Sequence, residues 1–234
     1  VILKTKIFCD IADTKQISKY NRKAIVKGFT TNPSLIRKAG AKDYKSYCKK
    51  ILRICRSKPI SFEVFADDKK NMKKQALIIN KWGKNIYVKI PVVNSKGIFM
   101  GRLIKELNAM GVKLNITAVY TSRQTKNILS NINKKTKIII SIFAGRMADT
   151  GKDPVPEFKR SLNYAKRFKN VEILWASTRE PYNYLQAQQL NCHIITIPPS
   201  IIEKILSFGK SFNYLTVSTV KGFLNDSKKS KFKI

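Results

Sequence analysis

Short apolar runs rich in isoleucine and valine recur along the chain, and segments with apolar residues at helical spacing separate them. The runs are Lys6–Ile11, Gly28–Thr31, Ile60–Phe65, Ile86–Ile90, Val112–Thr117, Lys137–Phe143, Val171–Ala176 and His193–Ile197. Each is of strand length, and they start roughly 20 to 35 residues apart, room for one helix and two loops. Between them, Tyr44–Cys55 gathers Tyr44, Tyr47, Cys48, Ile51 and Cys55 on one stripe and leaves Lys49, Lys50 and Arg53 outside it. Lys70–Lys81, Gly97–Met110, Ser122–Asn131, Pro156–Phe168 and Pro181–Leu190 repeat that amphipathic pattern.

Strand–helix alternation of this kind calls for a parallel sheet covered by helices. Eight units with no linker predict a closed (β/α)8 barrel, the TIM-barrel class, over residues 1–224. An open doubly wound sheet is the alternative, and it would carry two edges. Pro199–Leu206 and Val217–Leu224 read as closing helices, with residues 225–234 as a lysine-rich tail, frayed or in contact with a partner.

Composition adds bounds. At 43% hydrophobic residues, a chain of 234 has ample material for a core. Its 47 Lys and Arg against 14 Asp and Glu give a net charge of +33. The excess is spread along the sequence and not gathered in one arm, which predicts weak, salt-dependent attraction to polyanions; nucleic acid is not an expected partner. No apolar run reaches the length of a membrane span, and the first ten residues do not read as a secretory leader. Cys9, Cys48, Cys55 and Cys192 form no CxxC pair and the single histidine excludes a multi-histidine zinc site, so reduced thiols in a cytoplasmic protein are expected. No GxGxxG follows any run.

In a barrel of this class, chemistry belongs to the C-terminal ends of the strands. Those ends carry Asp10, Asn32, Glu63, Lys89, Asn115, Thr117, Ser141, Arg146, Ser177 and Arg179. Lys89 stands in the apolar run Ile86-Tyr87-Val88-Lys89-Ile90-Pro91. An ammonium there must be paired, or surrender its proton through a pKa displaced by up to ~3–5 units. A lysine so placed is a competent nucleophile towards a carbonyl. Asp10 and Glu63 are available as its counter-ions or as proton carriers. Arg146 and Arg179, just past the sixth and seventh runs, offer the planar donor fork that suits a phosphate monoester.

Several stretches together resemble the transaldolase family, including its small fructose-6-phosphate-aldolase-like branch. They are Phe8-Cys9-Asp10-Ile11-Ala12-Asp13, Gly28-Phe29-Thr30-Thr31-Asn32-Pro33-Ser34, Phe62-Glu63-Val64 and Val88-Lys89-Ile90-Pro91, then Asn115-Ile116-Thr117-Ala118, Ser141-Ile142-Phe143-Ala144-Gly145-Arg146 and Ala176-Ser177-Thr178-Arg179. The likeness spans roughly residues 5 to 224 and implies transfer of a dihydroxyacetone unit between phosphorylated sugars. It implies Lys89 as the Schiff-base lysine, Asp10 as the carboxylate handling the substrate hydroxyl proton, Glu63 as acid and base through a water, and Thr117 as the group orienting that water. Asn32, Asn115, Ser141 and Ser177 would bind the dihydroxyacetone hydroxyls, and Arg146 and Arg179 the phosphate. No metal or organic cofactor is implied, because the protonated imine is the electron sink. Aldolase-type members place a tyrosine and a glutamine where this chain has Phe143 and Glu63, so the resemblance favours group transfer over release of free dihydroxyacetone. It also implies a homo-oligomer, in the small branch a ring that uses the C-terminal helix.

Overall fold

The computed structural model describes residues 5–231. Eight parallel strands close into a barrel in sequence order: β1 (Lys6–Asp10), β2 (Val26–Thr30), β3 (Ile60–Glu63), β4 (Ile86–Pro91), β5 (Leu114–Val119), β6 (Ile138–Phe143), β7 (Val171–Ala176) and β8 (Ile194–Ile197). The last strand pairs with the first, Lys6 opposite Ile194 and Cys9 opposite Ile197, which disposes of the open sheet.

Period-2 alternation sorts the side chains of every strand. Ile7 and Cys9 of β1, Ile86, Val88 and Ile90 of β4, and Ile138, Ile140 and Ile142 of β6 pack outwards into the large core beneath the helices. Phe8, Tyr87, Ile139, Leu174 and Ile194 point inwards and form a separate apolar plug inside the barrel. Gly28 makes room for that plug, since a Cβ there would lie 2.6 Å from the Phe8 ring. One pleat further along, the same inward parity delivers Asp10, Glu63, Lys89, Asn115, Thr117 and Ser141. The strands are therefore apolar at one end of the interior and polar at the other.

The helices are α1 (Thr14–Asn21), α2 (Pro33–Lys38), α3 (Tyr44–Ile54), α4 (Lys69–Asn80), α5 (Gly101–Ala109), α6 (Ser122–Leu129), α7 (Ala144–Ala148), α8 (Val155–Ala165), α9 (Tyr182–Gln189), α10 (Pro199–Ile205) and α11 (Phe212–Ser230). Asp13, Asn32, Asp43 and Asp68 each accept a backbone N–H at the start of a helix. The helix expected from Gly97 begins four residues later. Gly97 turns at φ +75°, Asn94 takes the Ile98 amide, and Val93 bridges Phe99 in antiparallel fashion. At the other terminus α11 runs unbroken from Phe212 to Ser230, so the expected helix–tail boundary at residue 224 falls inside one helix. No side chain of α11 is buried.

Candidate active site

At the C-terminal ends of the strands lies a cavity of about 260 Å³. Asp10, Asn32, Lys89, Thr117, Ser141, Arg146, Ser177 and Arg179 line it, and Thr30, Phe143, Ala176 and Thr196 complete the wall. Eight of the ten residues singled out in the sequence thus share one space. Glu63 and Asn115 stand off the wall.

Lys89 is only 7% exposed. Its Nζ lies 3.1 Å from Glu63 Oε2 and donates to the Thr31 carbonyl at 3.2 Å. Residues 63 and 89 are direct neighbours in the β3–β4 ladder, so backbone register sets this pairing. Glu63 is held from behind. Its N–H donates to the Tyr44 hydroxyl at 3.1 Å, which in turn donates to the Glu63 carbonyl at 2.8 Å.

Asp10 faces Thr30 across the β1–β2 ladder. Thr30 Oγ1 donates to Asp10 Oδ1 at 2.7 Å and lies 2.5 Å from Thr196 Oγ1. A hydroxyl has one proton to give, so the chain runs from Thr196 through Thr30 to the carboxylate. Burial pushes the Asp10 carboxyl above its ordinary range, against the charge of Lys89 and the Thr30 hydrogen bond, which both pull it down.

Asn115 is fully buried, with its Nδ2 donating to Ser61 Oγ at 3.0 Å and its Oδ1 accepting from Ser141 Oγ at 2.7 Å. It positions Ser141, which does reach the cavity. Asn32 Oδ1 is committed to the Leu35 amide at 2.9 Å as the α2 cap, which leaves its Nδ2 for the cavity. Thr117 Oγ1 is buried and has no hydrogen-bond partner among the described residues.

The mouth is built by a close backbone crossing. Ser177 turns in the left-handed region at φ +65°, and its carbonyl lies against α7. A Cβ on Gly145 would sit 1.7 Å from the Ser177 oxygen, so only glycine permits α7 to approach β7 and bring Arg146 beside Arg179. Gly145→Ala is expected to destabilise the fold by about 1–3 kcal/mol, the usual cost of overpacking. Urea melts check that figure.

Asp149, one helical turn past Arg146, was not singled out in the sequence. It holds Arg179 in a two-pronged grip, Nε to Oδ1 at 3.0 Å and Nη2 to Oδ2 at 2.5 Å, while Arg179 Nη1 donates to the Ser177 carbonyl at 3.1 Å. Those hydrogen bonds, then the charges of Arg179 and Arg146, hold the Asp149 carboxyl below its ordinary range. Arg146 makes no hydrogen bond among the described residues and is the freer donor. Among the described residues, no group of three His, Cys, Asp or Glu side chains is disposed to hold a metal ion, and no helix is long and apolar enough to cross a membrane.

The family model described as Transaldolase/Fructose-6-phosphate aldolase matches residues 7–234. A relative from Thermoanaerobacter sp. (strain X514), described as a probable transaldolase, is 32% identical over 98% of this chain and 100% of its own. Another so described, from Methanococcus maripaludis, is 32% identical over 94% of this chain and 96% of its own. Among solved structures, a monomeric dihydrodipicolinate synthase variant superposes with a TM-score of 0.61 over 84% of this chain and 70% of that one. At 9% identity that likeness speaks for the barrel alone.

Proposed function

The chain belongs to the Transaldolase/Fructose-6-phosphate aldolase family, and from that premise we propose that it transfers a dihydroxyacetone unit from a ketose phosphate to an aldose phosphate through an imine on Lys89. The observation that carries this reading is the pairing of a buried Lys89 with Glu63, beside Asp10 on the cavity wall and beneath two arginines.

Lys89 passes a proton to Glu63 and its neutral Nζ attacks the C2 carbonyl of the ketose, giving a carbinolamine. Through a water that Thr117 orients, Glu63 returns a proton to the departing hydroxyl, water leaves, and the protonated imine remains. Asp10 takes the C4 hydroxyl proton; the C3–C4 bond breaks, and its electron pair enters the imine as an enamine while the aldose phosphate departs. The enamine then attacks an acceptor aldehyde, Asp10 returns the proton, and hydrolysis of the imine frees Lys89. Asn32, Ser141 and Ser177 bind the ketol hydroxyls. Asn115 works through Ser141.

Phe143 on the wall has no proton to give, so proton transfer rests on the two carboxylates; this favours transfer to an acceptor over release. Fructose 6-phosphate alone should yield little free dihydroxyacetone, and adding erythrose 4-phosphate should produce a seven-carbon ketose. Release of dihydroxyacetone at the same rate without acceptor would make the protein an aldolase that discards its donor.

Arg146 and Arg179 hold the sugar phosphate. Because Asp149 already engages Arg179, Arg146 carries the larger share. Arg146→Ala should raise the Michaelis constant for fructose 6-phosphate by about 10- to 100-fold, the worth of a charge-assisted hydrogen bond. Arg179→Ala should cost less, and turnover of unphosphorylated fructose should respond to neither.

The protein works as a cytoplasmic homo-oligomer joined through α11. Phe212 and Phe223 are 88% and 71% exposed, and Val220 and Leu224 are exposed with them. An uncovered apolar helix of this length marks an association surface. Light scattering should show a multimer, and a chain ending at Ser211 should scatter as a monomer.

A further inference from the structure

Lysines are scattered along the sequence and over both ends of the barrel, but many carboxylates gather at one end. Asp10, Asp13, Asp43, Glu63, Asp68 and Asp149 all lie at the C-terminal ends of the strands or the helix starts beside them. At the opposite end, Glu172 is the one carboxylate among the residues lining the cavities.

Three cavities adjoin one another there. The first, about 370 Å³, is lined by Arg56, Lys84, Lys113 and Lys137, with no acidic residue. The second, about 550 Å³, shares Lys137 and adds Lys134, Lys135, Lys166 and Lys169. The third, about 590 Å³, shares Lys166 and adds Lys126 and Arg167. One carboxylate lines this track, Glu172, and Lys6 already holds it at 2.6 Å.

The ends of α3, α6 and α8 supply part of the compensation, about half a negative charge each. That is less than the charge gathered, and the repulsion registers: burial first, then the charge of Lys137, lowers the Lys113 ammonium. Aromatic rings sit along the same track. Phe168 and Tyr164, both half-buried, line the third cavity, and Lys134 lies 5.8 Å from the Phe168 ring centroid.

We propose that this face of the barrel, remote from the candidate active site, binds single-stranded nucleic acid through its phosphate backbone, independently of sequence. A small phosphorylated ligand would fill one cavity. A track continued from cavity to cavity through shared lysines suits a polymer with a charge on every unit, and the half-buried rings of Tyr164 and Phe168 at its edge suit unpaired bases. The proposed partner differs from the sequence-based expectation, which rested on spacing along the chain.

The test is fluorescence anisotropy of a labelled 20-nucleotide oligouridylate with the full chain. Binding should be measurable at 50 mM salt, with log K falling against log salt at a slope near −4, about 0.7 for each of roughly six neutralised phosphates. Two triple variants remove the same charge: Lys134→Gln, Lys137→Gln and Lys169→Gln on this face, or Lys15→Gln, Lys45→Gln and Lys70→Gln at the opposite end, all exposed positions. The first should weaken binding at least about 30-fold and flatten the slope by about two; the second should change it less than about threefold. Equal weakening by both would reduce the effect to net charge and overturn the proposal, as would no binding at 50 mM salt. Retention of inorganic polyphosphate without RNA would overturn the nucleic-acid assignment. Unchanged circular dichroism and sugar-transfer activity in the first variant show that the fold and the other face are intact.

Discussion

Borohydride reduction of the protein incubated with fructose 6-phosphate is expected to fix a three-carbon adduct on Lys89, and Lys89→Ala to carry none. Turnover should fall by about 10⁴-fold or more, as when a covalent catalyst loses its nucleophile. Alanine would leave Glu63 half-buried without its cation, so a folding defect has to be separated from a chemical one. Lys89→Arg does so. It keeps a positive charge for Glu63, yet a guanidinium that holds its proton throughout the accessible pH range cannot attack a carbonyl. A folded, adduct-free arginine variant supports the imine. An adduct on another lysine, or undiminished turnover in the arginine variant, would sink it.

Asp10→Asn should lose about 10²- to 10⁴-fold in turnover, the usual worth of a positioned acid–base group, while retaining the ability to form the imine. Its pH dependence carries the sharper information. To take the hydroxyl proton, Asp10 must be ionised, and burial has moved its folded pKa upwards. The acid limb of the rate profile should therefore lie above the ordinary carboxylate range, with activity lost as pH falls through it. Thr30→Val removes a hydrogen bond that favours the ionised form and should push that limb higher still. Stability runs the other way. A carboxyl raised on folding binds its proton more tightly in the native state, so the folded protein loses stability as pH rises through the interval between the unfolded and folded values. Asp10→Asn should thus melt higher than the parent at neutral pH, with the gain vanishing in acid. An acid limb unmoved by Thr30→Val would remove Asp10 from the proton-transfer step.

Much of this was legible in the sequence because the barrel makes parity meaningful. Once Ile86, Val88 and Ile90 are assigned to the helix-covered side, Lys89 has to face inwards, and the same reasoning places Asp10, Thr117 and Ser141. Parity does not say how far along the interior a side chain lies, which is why Asn115 and Glu63 read as wall residues although one is buried beneath Ser141 and the other stands behind the lysine. The helices α2 and α7 escaped for another reason: at six and five residues they are too short to display a period. Asp149 escaped with α7, since its relation to Arg179 depends on how closely that helix crosses β7. The basic face left a readable trace. Lys84, Lys113, Lys137 and Lys169 each fall one or two positions ahead of a strand, a regularity that strand assignment alone exposes.

The solitary state of α11 has a thermodynamic corollary. Most helical stability in proteins comes from packing of one face, and this helix of 19 residues includes the weaker formers Thr216, Val217, Thr219 and Val220 and the interior Gly222. Without a neighbouring protomer it gains little burial to offset the entropy of ordering. With assembly through α11 as proposed, helix content in this segment should depend on protomer concentration, and folding of the C-terminus should be linked to assembly, while the barrel, with its own core, stands outside that linkage.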